Sequence, residues 1–76
     1  MSEFEEIVVE LPDKTVEFEG RLINDQILGT TAEDTRKIAY YEAEDGTFYK
    51  HVIHGINLEE GNQRHEFNEV SSMEVP

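Results

Sequence analysis

The sequence predicts an all-β domain, a single antiparallel meander of five or six strands. Short runs in which apolar and polar residues alternate are separated by turn-forming residues. No segment repeats apolar residues at i, i+3, i+4 and i+7 over more than one turn, so the helical period is missing.

Glu5 to Leu11 sets Ile7, Val9 and Leu11 on one face and Glu6, Val8 and Glu10 on the other, the period of a half-buried strand. Pro12-Asp13 opens a turn, because proline presets the first central turn position. Val16, Phe18 and Leu22 then alternate with Glu17, Glu19 and Arg21, and Gly20 marks a bulge or bend. With Leu11 facing Val16, this hairpin pairs Val9 with Phe18, Glu10 with Glu17 and Glu6 with Arg21. Asn24 to Asp34 has no sustained period and contains Gly29-Thr30-Thr31, which reads as a loop.

Arg36 to Ala43 and Thr47 to His54 flank Glu44-Asp45-Gly46, the signature of a type I turn closed by a glycine bulge. That turn sets Tyr41 against Tyr49, Ala39 against His51 and Ile38 against Val52. A second turn of the same kind, Glu59-Glu60-Gly61, pairs Leu58 with Asn62 and Ile56 with Arg64. Carried past Gly55, this register places Ile53 opposite Phe67, His54 opposite Glu66 and His51 opposite Glu69; a bulge at Gly55 shifts all three. Histidines opposite carboxylates are expected to favour the imidazolium, so the fold should weaken towards alkaline pH. Residues 71–76 show no pattern and are expected to fray from an ordered core at about 4–70.

Alternation sends Tyr40 with Phe48 and Tyr41 with Tyr49 to opposite faces of the central hairpin. A flat sheet leaves one face wet, so it must curl into a small barrel or pack face to face in a homodimer, the arrangement expected here.

Seventy-six residues make one domain, 1–76. The absence of cysteine excludes disulfides and thiolate zinc sites and suits a reducing cytoplasm. The N-terminus is acidic, not a basic segment leading into an apolar run, and the longest apolar run is Ile7-Val8-Val9 against the roughly 20 residues of a membrane span. Eighteen acidic residues against six basic give a net charge of -12, which repels nucleic acid and anionic lipid. Neither is an expected direct partner.

Three fragments, Phe4-Glu5-Glu6-Ile7 with Val9, Phe18-Glu19-Gly20-Arg21-Leu22, and Gly46-Thr47-Phe48 with His51-Val52, resemble the EXLDI family of small prokaryotic proteins over about residues 4–54. The family is largely uncharacterised, and some members carry an N-terminal segment resembling a ribbon-helix-helix arm. This chain shows no such segment. The resemblance supplies no catalytic residue and implies an all-β module that binds something else.

His51, His54 and His65 suggest a metal site, but positions 51 and 54 point to opposite faces of one strand, so at most two of the three converge. No metal or cofactor is expected. Carboxylate pairs such as Glu10 with Glu17 resemble acid and base pairs, yet so small a sheet has little volume for a pocket that shifts their pKa. No serine elbow or phosphate loop is present. The chain therefore reads as a non-catalytic interaction module for a basic protein partner. Its expected carriers are Glu6, Glu10, Glu17 and Glu19 with the aromatic residues Tyr40, Tyr41, Phe48 and Tyr49. A sharper form is a nucleic-acid mimic or inhibitor, and the alternative is a salt-adapted protein whose charge serves only solubility.

Overall fold

Alternating residues form five strands in the computed structural model, which describes residues 4–31 and 34–76. They are β1 (Glu5–Glu10), β2 (Thr15–Leu28), β3 (Arg36–Ala43), β4 (Phe48–His54) and β5 (Arg64–Val70). All are antiparallel neighbours in sequence order, the expected meander. β2 pairs with β1 over Thr15 to Gly20 and with β3 over Gly20 to Leu28. Gly20 is where the two pairings meet. A Cβ there would lie 2.6 Å from the Phe18 ring and 2.7 Å from the Glu42 carbonyl oxygen, so only glycine fits. Curling brings the N-terminal hairpin over the inner face of β3 to β5, where Phe18 comes within 6.4 Å of Phe67, ring centre to ring centre.

The register of the first hairpin is two residues from the expected one. Leu11 donates its N–H to the Lys14 carbonyl at 2.8 Å, leaving Pro12 and Asp13 as the central residues of a tight turn. Val9 therefore faces Val16, Ile7 faces Phe18, Val8 faces Glu17 and Glu6 faces Glu19. Glu10 lies opposite Thr15 instead of Glu17, and Arg21 opposite Glu42 instead of Glu6.

Asn24 to Leu28 belong to β2 and pair with Tyr40 to Arg36, contrary to the loop expected there. The register shift between Leu22 and Asn24 explains the difference: an irregularity at Ile23 reverses the alternation, so no single period runs through the strand. The connection is confined to residues 29–35, of which 32 and 33 lie outside the described residues.

The β3–β4 hairpin has the predicted register, with Tyr41 against Tyr49, Ala39 against His51 and Ile38 against Val52. Gly46 takes φ +90°, and Asp45 accepts the Thr47 N–H at 3.0 Å; hydrogen bonding from the Thr47 side chain first, and from its backbone second, holds the Asp45 carboxyl below its usual range.

Between β4 and β5 the expected register is overturned. His51 lies opposite Phe67, Ile53 opposite His65 and His54 opposite Arg64. Gly55 leaves the strand with φ +73° and donates to the Thr35 carbonyl at 2.8 Å. Glu60 to Asn62 wind a 3-10 turn, and the Gln63 amide ties the loop by donating to the carbonyls of Ile56 and Leu58 at 3.2 and 3.1 Å. Gly61 does not take the positive φ that a bulged hairpin turn requires.

Two apolar layers result. Val9, Ala39 and Ala43 are buried, and beside them the inner face carries Phe18, 5.1 Å from Tyr49 and 6.0 Å from Tyr41, with Tyr49 stacked on Phe67 at 5.2 Å. On the outer face Ile38, Tyr40 and Val52 form a buried cluster. The C-terminal residues, expected to fray, instead form a 3-10 turn at Ser72–Glu74 capped by the Ser71 hydroxyl, and Val75 packs on that cluster. Tyr40 would otherwise present its ring to water, so this short segment gains apolar contact for the cost of ordering a few residues.

Candidate interaction surface

Because Ile7, Val9, Val16 and Phe18 face inwards, the alternate residues of the same hairpin face out. Glu6, Glu10, Glu17 and Glu19 are all exposed on its outer surface, with Val8, 49 % exposed, between them. Glu6 and Glu19 are direct cross-strand partners, and Val8 is opposite Glu17. Directly opposed like charges cost a sheet roughly 0.2–1 kcal/mol. Among the described residues none of the four forms an ion pair: Lys14, in the turn of the same hairpin, pairs with none of them, and Arg21, two residues beyond Glu19, bonds the Glu42 carboxylate through Nη2 at 2.6 Å and Nε at 2.8 Å. The hairpin thus holds an unneutralised acidic ladder around an apolar centre.

The expected aromatic anchors are divided by the pleat. Tyr41 and Tyr49 are half-buried among Phe18 and Phe67 on the inner face; burial, with the Asp25 carboxylate adding to it, pushes the Tyr41 phenol up. Tyr40 is 6 % exposed beneath Val75, with the Lys50 ammonium 6.0 Å from its ring centre. Phe48 is half-buried, paired with Glu42 and Val70. None of these rings adjoins the ladder in the strand register. The four glutamates form one surface and the four aromatic residues do not join it.

A second cluster, two of the three candidate histidines, lies inside. His51, 8 % exposed, shares a hydrogen bond with His65 between Nε2 and Nδ1 at 3.1 Å, their rings stacked at 5.3 Å. Burial, the neighbouring His65 and Lys37 push the His51 imidazole pKa down. A cavity of about 190 Å³ adjoins this residue, bounded by Val9, Glu10, Lys37, Ala39, Tyr41 and Ile53. Pockets for drug-sized ligands run from about 300 to 1,000 Å³, so this one is small. His54 is on the opposite face, within 2.6 Å of the Glu66 carboxylate, which that hydrogen bond holds below its usual range. Among the described residues no three histidine or acidic side chains form a cluster fit for a metal ion. Both histidines were visible as candidates, but only the corrected β4–β5 register brings them together.

Compared with protein-family models, curated proteins and solved structures, the chain matches none. No helix among the described residues is long and apolar enough to cross a membrane.

Proposed function

We propose that the chain is a non-catalytic protein-interaction module whose acidic ladder on the β1–β2 hairpin binds a basic protein partner. One observation carries the reading: four exposed carboxylates surround the exposed Val8 without an ion pair among them. A cationic partner relieves the repulsion between them, and Val8 offers it an apolar contact at the centre. The resemblance to the EXLDI family, which supplies no catalytic residue, is in keeping with such a module. So is a cytoplasmic setting, given the absence of cysteine. In its sharper form the module mimics nucleic acid, its carboxylates taking the place of phosphates in a basic groove.

The competing reading is salt adaptation, favoured by exposed acids such as Glu44, Glu59, Glu69 and Glu74 away from the ladder. Calorimetric titration with a deca-arginine peptide at physiological salt separates the two. Replacing Glu6, Glu10, Glu17 and Glu19 by glutamine should weaken binding at least tenfold. The same exchange at Glu44, Glu59, Glu69 and Glu74, which changes net charge equally, should weaken it less than threefold. Equal losses in the two variants would leave solvation as the role of the charge. Competition by duplex DNA for a basic DNA-binding protein then tests the mimic.

A further inference from the structure

β1 covers β2 only as far as Gly20, so beyond Arg21 the edge of β2 facing away from β3 has no strand partner among the described residues. Exposed apolar side chains concentrate there. Leu22, Ile23, Ile27 and Leu28 are 49, 38, 63 and 39 % exposed. They flank the edge on both sides, since Leu22 and Ile27 pair with Tyr41 and Lys37 of the inner face whereas Leu28 pairs with Arg36 in the opposite phase. An exposed apolar edge is a template for another strand, and sheets ordinarily blunt such edges with charge. The other two outer edges do so: β1 carries Glu5, Glu6 and Glu10, and β5 carries Arg64, Glu66 and Glu69. From Leu22 to Leu28 the one charged residue is Asp25.

We propose that this edge, Asn24 to Leu28 with Leu22 and Ile23 flanking it, pairs antiparallel with the same edge of a second copy. The charge pattern selects that occupant. A basic partner is drawn to the ladder and finds little to attract it here, whereas a second copy meets the least repulsion at this edge of a chain of net charge -12. Antiparallel pairing of a segment with itself is two-fold symmetric, so it closes at two copies and leaves neither edge open. Leu22 and Ile27 on one side and Leu28 on the other are then covered together. The interface differs from the aromatic face-to-face contact expected from sequence, and it does not depend on the ladder's function.

Sedimentation equilibrium over a 100-fold dilution, with amide hydrogen exchange on the same samples, tests the pairing. The wild-type chain should reach twice the chain mass at high concentration, with protection between Leu22 and Leu28 rising in step. Ile27→Lys and Leu28→Lys, each at an exposed position, should weaken association at least tenfold; each monomer should still bind deca-arginine. A monomer at every concentration overturns the proposal. So does a dimer that neither lysine weakens, or one whose concentration-dependent protection falls elsewhere. The exchange measurement on the wild-type chain decides the matter even if a variant fails to fold.

Discussion

Replacing Phe18 with alanine should cost the protein about 3 kcal/mol of stability. Phe18 touches Tyr41, Tyr49 and Phe67 at centre-to-centre distances of 5.1 to 6.4 Å and is the one aromatic ring that the N-terminal hairpin contributes to the cluster. Truncating a core phenylalanine costs about 3–5 kcal/mol, and Phe18, being half-buried, belongs at the lower end. A chain of this length has roughly 4–11 kcal/mol in total, at about 0.05–0.15 kcal/mol per residue. Urea unfolding followed by tyrosine fluorescence should show the midpoint fall by at least about a quarter. A loss below about 1 kcal/mol would mean that the hairpin does not close over the inner face.

Acidification should weaken the fold from about pH 6.5 downwards, the reverse of the dependence expected from sequence. Burial holds the folded-state pKa of His51 below its unfolded value of about 6.5. The unfolded chain thus takes up a proton that the folded one resists. By linkage the contribution is fully present above the unfolded pKa and is lost as pH falls through the folded pKa. After burial, the neighbouring His65 and Lys37 also oppose protonation of the imidazole. A second decline should follow in the carboxylate range, because Glu66 and Asp45 are depressed and carry the same sign. Melting midpoints at pH 8, 6.5, 5.5 and 4.5 should fall in that order, and a His51→Phe variant should flatten the portion between 6.5 and 5.5. Melting that rises on acidification over that interval would contradict the buried, uncharged imidazole.

Much of the fold was legible because two local signals were unambiguous. Glu44-Asp45-Gly46 demanded a turn with glycine at positive φ, and the register of β3 and β4 followed from it. Alternation in β1 and early β2 correctly separated the outward glutamates from Ile7, Val9 and Phe18. Registers failed where turn length was ambiguous. Pro12-Asp13 closes a hairpin one residue tighter on each side than supposed, which turned an expected Glu6–Arg21 attraction into a Glu6–Glu19 repulsion. Glu59-Glu60-Gly61 looked like the earlier turn but winds a 3-10 helix, and the strand had already ended at Gly55. The second half of β2 was hidden because the irregularity at Ile23 breaks its period. The histidine pair and the β2 edge, which has no strand partner among the described residues, both depend on these long-range registers, which no local pattern encodes.

Mapping deca-arginine binding by amide chemical shifts tests the account most directly, since it reads where a cation sits residue by residue. The ladder predicts that the largest changes cluster at Glu6, Val8, Glu10, Glu17 and Glu19, saturate together and share one dissociation constant. Changes spread evenly over Glu44, Glu59, Glu69 and Glu74 as well would contradict it, and would show a charge that solvates the whole surface without a binding site.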